Sequence, residues 1–342
     1  MNYLSPLEML YKWEQEKPNE IYLSQPIEGV WHNWTWKEVA EEVRKMAAYI
    51  KTLDMPQGSK IALLSKNCAH WMMTDMAIMM SGYVSVPLYP NLNAASLEKI
   101  LNHSEAKLLF VGKLDDYAIM KPGVPADLPC ITFPFYSEDY PKWNDVTKDI
   151  APIQENIIRE AQDLATIIYT SGTTGDPKGV MLDHTNFMES LKAHDYELEV
   201  SENDSSLSFL PLSHIYERSW VFFCLHRGIK VYFNQNPKLI AEVLKEVKPT
   251  VMCTVPRIFE KIFAAIQDKR KEASPTKMKL ASWALGIGND YNNKHKRIDK
   301  KVPLSLKLKI EVPKYKNQLS DTSKYVSKSK PISTVLSIFN GV

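Results

Sequence analysis

Short apolar and β-branched runs alternate with stretches of helical periodicity over most of the chain, and this alternation limits the fold more than any other feature. Behind a capping box formed by Thr35 and Glu38, for example, apolar residues recur at helical spacing, and a buried-type strand follows at Lys60–Leu64. Strands that alternate with helices usually lie parallel, with helices on both faces. The sequence therefore predicts an α/β fold with doubly wound, largely parallel sheets and flanking helices.

The same pattern continues to about residue 271. The stretch at 67–80 is rich in methionine, which we interpret as core packing of a helix against a sheet. Because ligands in doubly wound sheets bind beyond the carboxyl ends of the strands, the site is expected in the loops that follow them. Strands are predicted at 83–88, 107–111, 164–169, 207–210, 230–233 and 250–255, and helices at 67–80, 94–103, 187–194, 220–226, 237–247 and 257–271.

The loop after the strand predicted at 164–169 has the most distinctive composition. Residues 169–182 read YTSGTTGDPKGVML, with three glycines, hydroxyl side chains at four consecutive non-glycine positions and one cation, Lys178. Glycines let backbone N–H groups approach an anion, hydroxyls add donors, and a lysine supplies a point charge that suits a phosphate. The spacing fits neither a Walker A loop nor G-x-G-x-x-G. A phosphate-binding loop of another type is predicted, and a polar hairpin without a ligand is the alternative.

This segment resembles the signature loop of the adenylate-forming (AMP-binding) superfamily. Two further stretches narrow the resemblance to the long-chain fatty acyl-CoA synthetase group: SFLPLSHIYER at 208–218 and TVPRIFEKI at 254–262. The similarity extends to about residue 305, so residues 1–305 are predicted to form part of the N-terminal domain of the adenylate-forming enzyme fold. Residues 306–342 are a Lys/Ser-rich tail that does not resemble the family and is expected to be poorly ordered.

The resemblance implies a two-step ligase reaction that uses ATP, Mg²⁺ and coenzyme A. The carboxylate of a long-chain fatty acid attacks the α-phosphate of ATP to give an acyl-adenylate and pyrophosphate, and the thiol of coenzyme A then displaces AMP. By motif position, Lys178 and His214 are implied as catalytic residues, and Thr170 as the magnesium contact. The residues implied to bind ATP are Thr170, Ser171, Gly172, Thr173, Thr174, Gly175 and Lys178.

Three residues of the 208–218 stretch also have simpler interpretations. His214 could cap the start of a helix through local backbone contacts instead of contacting a carboxylate or phosphate. Glu217 and Arg218 could form an exposed ion pair, which would stabilise the fold only slightly.

Downstream of Lys178 the resemblance is incomplete. The chain lacks the Tyr-Gly-x-Thr-Glu-like segment that contacts adenine, the Thr-Gly-Asp motif that binds ribose, and the C-terminal lid with its lysine. We therefore expect this chain to resemble a truncated ligase with little or no activity. The alternatives are a non-catalytic nucleotide- or acyl-binding remnant and a ligase for a different carboxylic acid.

Charge and cysteine usage bear on partners and location. The whole chain has a net charge of +2, but residues 291–330 carry 12 Lys/Arg against three acids. No interleaving of aromatic and basic residues accompanies this charge, so nucleic acid is not an expected partner, while peripheral contact with an anionic membrane stays open. The four cysteines form no CxxC pair and are interpreted as reduced core thiols. With no signal peptide recognised, a cytoplasmic location is expected.

Overall fold

A computed structural model of the chain describes residues 3–136, 139–171, 177–271, 274–279, 282–283 and 286, with the backbone alone at Ser171 and at 269–271. The chain divides into two compact units, Met1–Ile240 and Ala241–Val342. The predicted tail at 306–342 lies outside the described residues, so the domain boundary at 305 stays a prediction.

Ten strands are found in the described part of the chain, and they form two sheets. They are β1 (Ile21–Ile27), β2 (Val30–Thr35), β3 (Lys60–Leu64), β4 (Val84–Leu88), β5 (Ala106–Val111), β6 (Cys130–Thr132), β7 (Leu164–Ser171), β8 (Pro177–Asp183), β9 (Ser205–Ser208) and β10 (Lys230–Phe233).

The first sheet has the strand order β2-β1-β10-β9, and the second has the order β6-β5-β3-β4-β7-β8. Within each sheet the inner pairs are parallel, and one antiparallel hairpin lies at an edge: β1–β2 in the first sheet and β7–β8 in the second. The predicted α/β class with largely parallel sheets is confirmed. An antiparallel edge strand is common in sheets of this kind.

Helices alternate with these strands along the chain. The capping box at the start of the second helix is confirmed: Thr35 Oγ1 accepts from the backbone N–H of Glu38 at 3.2 Å, and the Glu38 carboxylate accepts from the backbone N–H of Thr35 at 2.7 Å. The helices are α1 (Pro6–Glu16), α2 (Trp36–Thr52), α3 (Ala69–Ser81), α4 (Ala94–Ser104), α5 (Trp143–Thr147), α6 (His184–Glu197), α7 (Ile215–Arg227), α8 (Ile240–Val247) and α9 (Pro256–Lys271).

Helix α3 is buried along its whole length, which confirms the interpretation of its methionines as core residues. It packs against β3 and β4 of one sheet and against β1 of the other. A helix that is apolar on all sides can satisfy this position between two layers. Its one acidic residue, Asp75, is therefore also buried, and a buried carboxylate needs partners.

Two differences from the predicted elements have local causes. The strand predicted at 250–255 is wrong, since the structure has no extended strand there and only a bridge at Val251. β-Branched residues form strands where a neighbouring strand edge can pair with them, and propensity alone does not supply that edge. The β1–β2 hairpin was not predicted because its turn residues, Glu28 and Gly29, lack the usual Asn-Gly or Asp-Gly signal, although both have positive φ (50° and 82°).

Two further observations apply to the described residues, one on the cysteines and one on the length of apolar helices. Cys68, Cys130, Cys224 and Cys253 are all buried thiols outside any disulfide, as expected of core thiols. Among the helices that the structure describes, none is long and apolar enough to cross a bilayer.

Candidate functional site

The predicted phosphate loop joins the two arms of the β7–β8 hairpin. The arms are paired up to the loop, with Thr170 opposite Lys178 and Ser171 opposite Pro177. Thr170 and Lys178 are both exposed. Because residues directly opposite in an antiparallel pair have Cβ atoms about 4.5–5.5 Å apart, the side chains of Thr170 and Lys178 start from neighbouring positions on one face of the hairpin. Gly172, Thr173, Thr174, Gly175 and the side chain of Ser171 lie outside the described residues.

The arms approach closely where Tyr169 faces Gly179. A Cβ atom at Gly179 would lie 2.7 Å from Ile167 Cγ2 and 3.3 Å from the Tyr169 ring, so only glycine fits without a shift. The Tyr169 hydroxyl lies 2.7 Å from His103 Nδ1, in the last turn of α4. His103 was not predicted from the sequence, because no spacing relates it to Tyr169, which lies 66 residues away.

His214 is the N-cap residue of α7. Its Nδ1 accepts a hydrogen bond from the backbone N–H of Tyr216 at 3.2 Å, so the capping interpretation is confirmed. An accepting Nδ1 carries no proton, and the neutral ring then has its N–H at Nε2. The side chain is exposed, yet neighbouring atoms desolvate the ring enough to lower the pKa of His214. The geometry thus favours a neutral imidazole that can donate from Nε2.

Glu217, in the first turn of α7, is fully buried, and among the described residues neither of its carboxyl oxygens has a hydrogen-bond partner. Burial raises the pKa of Glu217 to about 8, although the nearby Ser208 hydroxyl and Phe209 backbone oppose the shift. At pH 7 the carboxyl is therefore mostly protonated. The alternative of an exposed Glu217–Arg218 pair is wrong, because both side chains are buried and Arg218 pairs elsewhere.

Arg218 forms a fully buried ion pair with Asp75 of α3. Its Nε donates to Asp75 Oδ2 at 3.0 Å, and its Nη2 donates to Asp75 Oδ1 at 2.6 Å. Nη1 donates to Thr166 Oγ1 of β7 at 2.8 Å, and Nη2 also donates to Ser85 Oγ of β4 at 3.0 Å. We call Asp75, Ser85, Thr166 and Arg218 the buried network. Its one sequence signal was the acid at position 75 within an apolar helix.

Within the described ranges, no group of three or more His, Cys, Asp or Glu side chains is placed to hold a metal ion. Thr170, the predicted magnesium contact, offers one exposed hydroxyl oxygen. Mg²⁺ usually keeps several waters and shares the phosphate oxygens of a nucleotide, so it does not need a cluster of protein ligands. A single hydroxyl fits that kind of coordination, and the role of Thr170 stays a prediction.

Comparison with known sequences gives a consistent set of relatives. A family model described as "AMP-binding enzyme" matches residues 10–309. Long chain acyl-CoA synthetase 2 of Arabidopsis thaliana is 29% identical over 313 residues, which cover 83% of this chain and 47% of the relative. Long-chain-fatty-acid–CoA ligase FadD15 of Mycobacterium bovis is 30% identical over 275 residues, which cover 78% and 46%. The chain thus spans about half the length of the curated relatives it matches.

Solved structures show the same fold at lower identity. The anthranilate CoA ligase AuaEII, solved in complex with anthranoyl-AMP, superposes with a TM-score of 0.66 at 20% identity, covering 74% of this chain and 50% of that one. The N-terminal domain of FACL13 from Mycobacterium tuberculosis superposes with a TM-score of 0.64 at 22% identity, covering 75% and 64%. These structures confirm the predicted fold of the N-terminal domain of adenylate-forming enzymes.

Proposed function

This chain belongs to the AMP-binding enzyme family, and from that premise we propose that it serves an AMP-forming long-chain fatty acid–CoA ligase. In the first step, the fatty acid carboxylate attacks the α-phosphate of ATP, and pyrophosphate leaves as the acyl-adenylate forms. In the second step, the thiol of coenzyme A attacks the acyl carbon, and AMP leaves with the electrons of the broken C–O bond. The single observation that carries the proposal is the continuous family match over residues 10–309, which includes both the hairpin and α7.

The hairpin supplies the groups that an ATP triphosphate needs. Lys178 is exposed and faces Thr170 across the paired strands. An ammonium group beside the β- and γ-phosphates would stabilise the negative charge that grows on pyrophosphate as it leaves. We propose that the hydroxyl of Thr170 contacts Mg²⁺, which when bound with ATP neutralises phosphate charge. The loop residues 171–175 would add their hydroxyl and backbone donors.

His214 supplies a neutral donor at the start of α7. Since its Nδ1 is occupied by the backbone of Tyr216, the proton of the neutral ring lies on Nε2. We propose that this N–H contacts the oxygen of the fatty acid carboxylate or of the α-phosphate. A neutral ring leaves the carboxylate unprotonated and therefore nucleophilic, which agrees with the lowered pKa of His214.

The identity of the acid is taken from the relatives, since the curated matches in plants and mycobacteria are named long-chain acyl-CoA synthetases or ligases. A ligase for a different carboxylic acid is the alternative, because a structure with the same fold is an anthranilate CoA ligase. Palmitate, acetate and anthranilate would separate these classes by size and shape.

A cytoplasmic location is part of the proposal. All four cysteines are buried thiols outside any disulfide, a state that fits a reducing compartment. Because long-chain fatty acids partition into bilayers, we propose peripheral contact with the inner face of a membrane. Cosedimentation of the chain with anionic vesicles, with and without about 0.5 M added salt, would test this contact. The added salt shortens the Debye length roughly fourfold and so weakens attraction between charges.

The experiment is ATP–pyrophosphate exchange on the purified chain, with Mg²⁺ and each acid in turn. It reports the adenylation step and needs no coenzyme A. Because the chain resembles a truncated ligase, we expect exchange to be slow, yet faster with palmitate than in the control without acid, and no faster than that control with acetate or anthranilate. Lys178→Ala should abolish it, whereas Lys37→Ala, an exposed lysine at the start of α2, should leave it unchanged.

Other outcomes assign other functions. Exchange that is fastest with anthranilate or acetate would contradict the long-chain assignment while keeping the ligase chemistry. If ATP stabilises the folded chain but none of the acids supports pyrophosphate exchange, the chain is the non-catalytic nucleotide-binding protein of the alternative.

A further inference from the structure

One side chain connects the two parts of the candidate site, the start of α7 and the hairpin. The backbone N–H of Arg218 donates to the carbonyl of His214 at 3.2 Å, and its guanidinium donates to Thr166 of β7. We infer that Arg218 is a positioning residue, which sets the first turn of α7 against the strand that leads into the phosphate loop. This inference rests on the proposed function only for what the loop binds.

The guanidinium is held in one orientation. Two of its nitrogens bind the two carboxylate oxygens of Asp75 at 3.0 and 2.6 Å. A bidentate pair of this kind fixes the plane of the guanidinium as well as its position. Its remaining contacts therefore point in defined directions, to Thr166 in β7 and to Ser85 in β4.

The two hydroxyls in the buried network can be oriented in only one way that satisfies every bond. Thr166 Oγ1 donates to the backbone carbonyl of Ser85 at 2.8 Å and accepts from the Ser85 hydroxyl at 3.1 Å. Both hydroxyls also accept from Arg218. Such a network is sensitive to register, because a shift of β7 along β4 would leave several buried groups unpaired.

The setting of the pair argues against a role in stability alone. The guanidinium carbon lies 5.7 Å from the Trp71 ring, 5.2 Å from the Phe187 ring and 5.7 Å from the Phe222 ring, and the side chain is fully buried. Removing two charges from water costs about as much as their attraction returns, and apolar replacements of such pairs are often neutral for stability. What the buried network adds is a fixed geometry between α3, α7 and the second sheet.

Strand β7 connects the buried network to the candidate site. Thr166 and Thr170 are four residues apart and face the same side of the strand. The hairpin pairing then places Lys178 opposite Thr170. Fixing Thr166 against Arg218 therefore fixes the exposed end of β7 relative to His214, which lies one turn before Arg218 on α7.

The test uses Thr166→Val, which removes the hydroxyl but keeps the shape and leaves the Asp75–Arg218 pair intact, so that the chain stays folded. Thr166→Ser is the rescue variant, since it restores the hydroxyl. Ser206→Ala is the matched control: it removes another fully buried hydroxyl that binds α7, at Trp220 Nε1 (2.9 Å), but from β9 in the first sheet. A second variant, Arg218→Met with Asp75→Leu, removes both charges together.

Hydrogen exchange by mass spectrometry and apparent affinity for Mg-ATP are measured on the full chain. For Thr166→Val and for the double variant, we expect exchange in peptides that cover β7 and β8 to accelerate by about tenfold, with little change in β9 and β10. Affinity for Mg-ATP should weaken by about fivefold or more. Thr166→Ser should stay within about twofold of wild type, and Ser206→Ala should loosen β9 without affecting the hairpin or the affinity.

Two results would overturn the inference. One is acceleration in both sheets to the same degree, which is the signature of a general loss of stability. The other is hairpin exchange that Thr166→Val changes no more than Ser206→Ala does. If the wild-type chain fails to bind Mg-ATP, the proposed function fails, but the exchange data still decide whether Arg218 positions β7.

Discussion

Thr166 and Tyr169 lie on opposite faces of β7, three residues apart, and the two faces are held in different ways. On the first face, Thr166 accepts a hydrogen bond from Arg218, whose buried charge is paired with Asp75. On the second, Tyr169 belongs to an apolar cluster, and its hydroxyl contacts His103 at the surface. The strand that leads into the phosphate loop is thus fixed by an ion pair on one side and by side-chain packing on the other.

The two faces of β7 should therefore respond differently to substitution. Loss of a charged member of the buried network is costly, because its partner stays desolvated and unpaired. An apolar face with one hydrogen bond at its rim responds in proportion to what is removed, since water can replace the missing partner. The free energy of unfolding should therefore separate the two faces.

The largest effect is expected from Asp75→Ala. This change leaves the Arg218 guanidinium buried without its carboxylate, at a cost of about 3–5 kcal/mol in the free energy of unfolding, measured by urea denaturation. Thr74→Ala, at a fully buried neighbour in α3 whose hydroxyl donates, among the described residues, to the His70 carbonyl of its own helix, should cost about 1 kcal/mol. Equal costs would show that the buried network is no more sensitive to truncation than an ordinary buried hydrogen bond.

A smaller effect is expected from the pH dependence that Glu217 imposes. Its pKa is raised to about 8 in the folded chain, so the folded state holds a proton that the unfolded state releases above the ordinary Glu range. Stability is fully present at acid pH and is lost as the pH rises toward 8. Between pH 7 and pH 8 the wild type should lose about 1 kcal/mol, and Glu217→Gln should remove that slope.

Buried histidines change the free energy of unfolding mainly below pH 7, so the contribution of Glu217 is measured at pH 7 and above. Burial lowers the pKa of His70 to about 3 and that of His184 to about 4, so both add stability that is lost as the pH falls below about 6.5. Both groups titrate mainly below pH 7 in the unfolded chain, and Glu217→Gln keeps their small remaining contribution above it. A slope that persists in Glu217→Gln would show that another group causes it.

The smallest effect is expected on the second face of β7. His103→Ala and Tyr169→Phe each remove the same 2.7 Å contact, and each should cost about 1 kcal/mol in the free energy of unfolding. Together they should cost less than the sum, because the second change finds nothing left to remove. Asn102→Ala, an exposed neighbour on α4, serves as control. Fully additive losses would mean that the hydrogen bond contributes nothing.

The sequence predicted what depends on local pattern. The capping box at Thr35, the methionine core of α3 and the parallel strands all follow from spacing along the chain. The hairpin arm β8 was not predicted, because it begins with Pro177 and contains Gly179, residues that are rare in strands. Among the described strands β8 pairs with β7 alone, and residue spacing within β8 does not predict that pairing.

The site was predicted in part for the same reason. Lys178 and Thr170 were recognised from a motif, and the structure places them opposite each other in the hairpin, while their roles stay predictions. The partners of Arg218 could not be predicted, since Asp75 lies 143 residues away and Thr166 lies 52 residues away. Burial of Glu217 likewise depends on how α7 packs against β9, which no local spacing reveals.

The most direct test of the central claim, that the β7–β8 hairpin binds the phosphates of ATP, is the thermal unfolding midpoint during a titration with Mg-ATP. At a hundredfold excess over its dissociation constant, ATP should stabilise the wild-type chain by about 2.7 kcal/mol. Lys178→Ala should lose most of that gain, and Lys37→Ala should keep it. A wild-type midpoint that ATP does not raise, or a gain that Lys178→Ala keeps in full, would contradict the claim.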